Sequence, residues 1–227
     1  MFLVRHGETT VASEDRFAGS SDVPLSSNGR LQAERLAARL SSERIAAAYY
    51  SPMQRTRDTA TILAAPHGCS LMARDGLREI GHGHWEGLRR SEVEARFSEE
   101  YASWEEDPFT FAPTGGESGV QVVARSLPVI REIVVAHPNQ NVLVVSHKAT
   151  IRLIIATLLG FEARGYRDRL DQLPASLNVL DFKTSVRVRL VLFNDISHYA
   201  AAPPISGQRL SKWCDVPESK TDRDMKE

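Results

Sequence analysis

Cysteine is nearly missing from this chain, with only Cys69 and Cys214 among 227 residues. Two cysteines make neither a disulfide framework nor a paired-cysteine metal knuckle. Long apolar runs are missing too, and no uncharged stretch approaches the ~20 residues that a helix needs to cross a bilayer. The opening residues, Met1-Phe2-Leu3-Val4-Arg5-His6, lack the basic start, the longer apolar stretch and the cleavage site of a signal peptide. Excess charge is the third absence. Lys and Arg number 28 against 29 Asp and Glu, a formal net charge of −1, so no global field recruits nucleic acid or an anionic membrane. Any anion site must be a local cluster of Arg and His. These absences predict a cytoplasmic protein with no nucleic-acid or membrane partner. What is present is ordinary for a soluble globular domain: 42% apolar and 25% charged residues, in a chain long enough for one sizeable core.

The pattern alternates strand-like and helix-like segments. Phe2 to Arg5 is a short apolar run that stops at His6-Gly7, and reads as a buried strand. Asp15 to Asn28 is rich in Ser, Gly, Asp and Pro, and reads as a loop. From Gly29 to Leu40, the residues Ala33, Leu36, Ala37 and Leu40 fall on one helical face. Ile45 to Tyr50 is a second strand. Ser51-Pro52 then offers an N-cap and a first helical residue, predicting a helix to about Leu63. After the Gly-rich stretch Gly81 to Gly87, the polar, aromatic segment 89–113 predicts a small cap insertion over one end of the fold. Val123, Leu127, Ile130 and Val134 mark another helix. Pro128 inside it predicts a kink or a split, since an interior proline costs ~3 kcal/mol. Asn141 to Ser146 is nearly all apolar, as expected of a central strand covered on both faces. Thr150 to Leu159 reads as a helix stopped by Gly160, and Val179 to Phe182 and Val186 to Phe193 as two late strands, a candidate hairpin. The order predicts an α/β domain with a mostly parallel sheet, spanning about residues 1–205. Ser206 to Glu227 is polar and aperiodic, and predicts a disordered tail.

Ligands of open α/β sheets bind at the carboxyl ends of the strands. Arg5-His6 ends the first strand, Ser146-His147 ends the NVLVVS strand, and Arg55 opens the helix after the second. Such a fold brings two imidazoles and two guanidiniums to one rim, where the start of the helix at Ser51 to Arg55 adds backbone N–H groups. The ligand that fits is a tetrahedral dianion, because arginine forks match phosphate oxygens. A neutral imidazole can attack phosphorus and form a phosphohistidine. A carboxyl must then protonate the leaving oxygen and later take a proton from water. Glu79, just before the Gly-rich loop, is the candidate.

With those residues in place, the sequence resembles the histidine phosphatase superfamily, also called phosphoglycerate mutase-like. The resemblance starts in Leu3-Val4-Arg5-His6-Gly7-Glu8-Thr9 and continues through Asp22-x-Pro24-Leu25-Ser26-x-x-Gly29-x-x-Gln32-Ala33. It takes in Ser51-Pro52-x-x-Arg55-Thr56-x-x-Thr59-Ala60, Leu77-x-Glu79-x-x-x-Gly83-x-Trp85-Glu86-Gly87 and Gly115-Gly116-Glu117-Ser118. It ends with Val144-Val145-Ser146-His147 and Asn194-Asp195-x-Ser197-His198. Single pieces are weak signals, but the ordered set across residues 2–199 is specific. The resemblance implies a three-layer α/β/α sandwich with a small helical cap. It implies His6 as the phosphate-accepting nucleophile, Arg5, Arg55 and His147 as phosphate ligands, and Glu79 as proton donor. It also implies chemistry that needs no metal and no organic cofactor. The substrate class implied is a small phosphomonoester, and a homodimer is common in such relatives.

Two positions depart from the family pattern. Ala12 stands where Asn often contacts phosphate, which leaves that hydrogen bond to Ser13 or to the Gly19 backbone, or unmade. Lys148 stands where small residues are common, and either adds charge near the substrate or points at solvent. Thr9 and Thr10 either bond in the pocket or cap the loop. His82 and His84 invite a metal reading, but no third ligand is evident. Trp85 and His198 read as structural, and the acidic stretch Glu99 to Asp107 as a solvated face. The short cap and the Trp85-Glu86-Gly87 form favour hydrolysis of a phosphomonoester. The alternatives are a phosphoglycerate mutase, which must shield its phosphoenzyme from water, and a non-catalytic phosphate-binding module.

Overall fold

The computed structural model describes residues 1–10 and 16–200. Six strands, β1 (Phe2–Arg5), β2 (Ile45–Tyr50), β3 (Ser70–Ala73), β4 (Asn141–Ser146), β5 (Leu177–Thr184) and β6 (Arg187–Asp195), lie in the order β3-β2-β4-β1-β5-β6. The first four run parallel, β5 is antiparallel to β1, and β6 returns beside β5. Seven helices connect and flank them: α1 (Ser27–Leu40), α2 (Gln54–Ala64), α3 (Arg90–Arg96), α4 (Ser98–Glu106), α5 (Gly119–Ala136), α6 (Lys148–Leu159) and α7 (Tyr166–Arg169). No described helix is long and apolar enough to cross a membrane.

The central strands are apolar on both sides because both sides are covered. Alternate residues of a strand face opposite ways. Leu3, Val142 and Val144 pack on Ile130 and Ile133 of α5 and on Ile151 and Ile154 of α6. Phe2, Val4, Leu143 and Val145 pack on Leu36 and Leu40 of α1 and on Leu63 of α2. Each such side chain contributes about 1.5–3 kcal/mol by leaving water. The result is the three-layer sandwich expected from the sequence.

The helix starts hold the main differences from expectation. α1 begins two residues early, because the Ser26 hydroxyl accepts from Gly29 N at 3.0 Å and caps it. α2 begins at Gln54 behind Met53, which supplies no side-chain cap. Asp22 does that work from a neighbouring loop, accepting from Gln54 N at 2.7 Å. Ser51 is therefore not the N-cap, and its hydroxyl is spent in the site described below. α5 runs unbroken through Pro128. That proline lies on the exposed side of the helix, where water can bond the carbonyl that loses its N–H partner. The buried face of α5 is Val122, Ser126, Leu127, Ile130 and Ile133. Val123 and Val134 sit at its partly buried edges, so the apolar stripe is rotated from the one expected.

α3 and α4 form the cap, joined to the body by a cluster of Phe17, Trp85, Val93 and Trp104. The acidic stretch Glu99 to Asp107 is more than a solvated face. Trp104 within it is buried, Glu105 pairs with Arg90 and Arg167, each at a closest approach of 3.0–3.2 Å, and Arg167 stacks over the Trp104 ring at 4.0 Å. The tail after residue 200 lies outside the described residues, as do Ala12 and Ser13.

Candidate active site

The parallel pairing of β1 with β4 sets the site. Arg5 lies opposite Ser146 in the register, so the next residue of each strand leaves the sheet at the same edge. His6 N donates to Ser146 O at 3.1 Å, and the His6 and His147 rings meet edge to face with centroids 5.2 Å apart. The loop after β1 is held tightly against α1. A Cβ on Gly7 would come within 2.4 Å of Gly29 O, and one on Gly29 within 2.0 Å of Glu8 O, so both positions demand glycine.

The hydrogen bonds assign the tautomer of each imidazole. His6 Nδ1 lies 2.7 Å from Gly7 O. A carbonyl only accepts, so Nδ1 carries the proton and Nε2 keeps its lone pair. Burial first, then the charges of Arg5 and Arg55, hold the His6 pKa well below 6.5 and the ring neutral. His147 is buried completely. Arg55 Nε donates to its Nδ1 at 3.2 Å, so its proton sits on Nε2 and goes to Ser51 Oγ at 2.8 Å. Burial and then Arg55 also depress the His147 pKa.

The two expected arginines are anchored differently. Arg55 spends its other nitrogens on Ser21 O at 2.6 Å and Gly19 O at 2.9 Å. Arg5 donates to Gln172 O at 2.6 Å, and burial pushes its pKa down to about 10. Its Nε is buried with no partner among the described residues.

Glu79 sits against the first turn of α6. Its Oε1 accepts from Ile80 N, Thr150 N and Thr150 Oγ1 at 3.0–3.2 Å. Its Oε2 accepts from Ala149 N at 3.2 Å. These contacts fix the carboxyl group at the start of α6.

Arg5, His6, Thr9, Gly19, Arg55 and Glu79 share the wall of one cavity of about 320 Å³. His147 stands behind that wall and does not line it. A depression of about 420 Å³ opens at the other end of the strands, beside Met1, His137 and Lys183, and none of these site residues borders it. His82 lies against Phe17, with ring centroids 4.8 Å apart. His84 instead pairs with Glu100 at 3.0 Å. Among the described residues no group of three or more His, Cys, Asp or Glu side chains is placed to hold a metal ion.

The side chains of three supporting residues have no role at the site in the sequence pattern. Arg125 of α5 donates to Gly76 O, Arg78 O and Glu79 O at 2.9–3.0 Å, and forks onto Glu117 at 2.8 and 2.9 Å. It fixes the backbone that carries Glu79. Glu86 gathers Ser20 N, Ser21 Oγ and His82 N onto one carboxylate, and so shapes the loop whose carbonyls hold Arg55. Ser51 orients His147. Glu86 and Ser51 fall inside the matching motifs, which was their only signal, and Arg125 had none.

Residues 1–196 match the family model described as histidine phosphatase superfamily (branch 1). The chain belongs to that superfamily. Phosphoserine phosphatase 1 of Hydrogenobacter thermophilus is 36% identical over 162 residues, 71% of this chain and 77% of the relative. Glucosyl-3-phosphoglycerate phosphatase of Mycobacterium tuberculosis is 34% identical over 167 residues, 70% of this chain and 74% of the relative. Among solved structures, YhfR of Bacillus stearothermophilus superposes with a TM-score of 0.82 at 28% identity, covering 87% of this chain and 97% of that one. This histidine phosphatase thus shares its fold with YhfR, and the Hydrogenobacter and Mycobacterium relatives are named as phosphatases. It is a hydrolase of the phosphatase type.

Proposed function

We propose that this histidine phosphatase hydrolyses phosphomonoesters of small metabolites through a phosphohistidine on His6, with no metal or organic cofactor. The observation that supports this most is the state of His6: buried, neutral, protonated on Nδ1, with Nε2 free at a cavity flanked by Arg5 and Arg55. In the first step Nε2 attacks phosphorus, the P–N bond forms, and the ester P–O bond breaks. The leaving oxygen takes its proton from the Glu79 carboxyl. In the second step Glu79 takes a proton from water, the water oxygen bonds to phosphorus, and the P–N bond breaks. Two guanidiniums supply the positive charge that stabilises the equatorial oxygens.

His147 joins when substrate arrives. A phosphate oxygen displaces Arg55 Nε from Nδ1, and the incoming dianion cancels the repulsion from the arginines, so that the ring takes up a proton and donates to phosphate. Thr9 and the Gly19 backbone complete the phosphate pocket. Ser13, a further candidate donor, lies outside the described residues.

The relatives' names point to phosphoserine and phosphoglycerate esters as the first compounds to assay. Purified protein should release inorganic phosphate from such a panel with EDTA present, and His6→Ala should abolish it. Activity lost on adding EDTA, or retained in His6→Ala, would overturn the mechanism.

A further inference from the structure

One wall of the active cavity carries positive charge that the phosphoryl chemistry does not use. Lys148, the first residue of α6, and Arg152, one turn on, both line the cavity. Residues four apart on a helix are neighbours, and one atom ties these two together. Asp171 Oδ1 lies 3.0 Å from Arg152 Nη2 and 3.6 Å from Lys148 Nζ. The Arg152 side chain is only 10% exposed, and its Nε is buried with no partner among the described residues. Among the described residues Asp171 is the one carboxylate paired with both cations; it also accepts from Gln172 N at 2.8 Å, and its own side chain is 59% exposed.

Glu79 is the second carboxylate whose charge reaches this pair, acting on Arg152. Burial first, then Arg152 and Arg5, depress the Lys148 pKa, and only Asp171 opposes them. Glu79 is committed to the first turn of α6. Two cations and the one carboxylate paired with both leave a single positive charge on a half-dry wall. That matches a monoanion better than a second phosphate dianion. The contact with Asp171 already shows that a carboxylate oxygen sits well between the two donors.

We infer that Lys148 and Arg152 form a second anion subsite that reads a carboxylate on the alcohol portion of the substrate, so that the enzyme prefers phosphate esters of small hydroxy acids. This rests on the proposed phosphatase activity, and it assigns to Lys148 and Arg152 the selection among substrates.

Matched substrates test it. The wild-type kcat/KM is measured for 3-phosphoglycerate against glycerol 3-phosphate, and for phosphoserine against phosphoethanolamine. Each pair differs by the carboxylate. The acid should be favoured by roughly tenfold or more, the scale of one charge-assisted hydrogen bond. Lys148→Met should bring each ratio close to one, and Lys148→Arg should restore it. Because each ratio compares two substrates on one preparation, partial misfolding cancels. Equal kcat/KM values in the wild type, or a ratio unchanged in Lys148→Met, would overturn the inference. So would a three-carbon diol bisphosphate that outperforms both acids. p-Nitrophenyl phosphate serves as the control. If it is hydrolysed while the ratios stay flat, the subsite fails alone; if nothing is hydrolysed, the phosphatase reading fails with it.

Discussion

Arg55 reaches His147 with Nε at 3.2 Å while its two other nitrogens hold the carbonyls of Ser21 and Gly19. One guanidinium thus ties the loop over the cavity to the imidazole behind its wall. A planar fork with donors on three sides suits that task, and an ammonium does not.

Arg55→Lys should keep the positive charge and lose the geometry. The expected result is a kcat/KM lower by about a hundredfold or more, with most of the loss in kcat, because the interaction matters most as charge develops. Steady-state kinetics on the best substrate of the panel checks this. A loss under threefold would show that charge alone suffices there.

Glu79→Gln separates proton donation from binding. An alkyl phosphate needs its leaving oxygen protonated, and should slow by about 10²–10⁴-fold. p-Nitrophenyl phosphate expels a stable phenolate and should slow far less. Equal slowing of both would assign Glu79 to holding α6 through Ala149 and Thr150 rather than to acid catalysis.

Arg125→Leu should damage both stability and rate. It strips partners from three backbone carbonyls and from Glu117. Bonds to charged groups are worth about 1.5–3 kcal/mol, and groups left buried and unpaired add to the loss, so a loss of about 2–4 kcal/mol in urea unfolding is expected. The kcat should fall with KM little changed, because Glu79 loses its place more than phosphate loses its ligands. A stable variant with full kcat would contradict the positioning role.

The pH dependence of stability follows from the buried imidazoles. His6 and His147 have pKa values held well below 6.5 by burial first, and His198 is lowered to about 4 by burial and Arg39. The unfolded chain binds these protons near pH 6.5. As pH falls below that, the unfolded state takes up protons that the folded state refuses, and stability declines. Above about pH 6.5 these groups cost nothing. Carboxylates with lowered pKa, such as Glu117 and Asp195, add losses only below about pH 4.5. Urea midpoints should therefore drop between pH 7 and pH 5, and His198→Gln should flatten that slope. A midpoint that rises on acidification would contradict the neutral imidazoles.

Much of this site was legible because strand ends are legible. β1 and β4 announce themselves as apolar runs, and each stops at a histidine, so the rim could be placed before any coordinates. Helix starts were less readable. Ser51-Pro52 resembles a cap, but a hydroxyl has one best partner, and His147 takes it. The face of α5 was misjudged by a rotation because Val123 and Val134 are as apolar as Val122 and Ile133. Arg125 was invisible, since a lone arginine on an amphipathic helix reads the same whether it meets water or five acceptors. The position of His147 is legible only in part. Its place at a strand end was plain in the sequence, but its position behind Arg55 depends on a loop from residues 19 to 21 that no periodicity marks.

The most direct test is to stop the reaction in mid-turnover with a substrate labelled in its phosphoryl group. Rapid quenching should trap label that is stable in base and labile in acid, and peptide mapping should place it on His6. Label on another side chain, or full turnover by His6→Ala with no trapped species, would contradict nucleophilic attack by that imidazole.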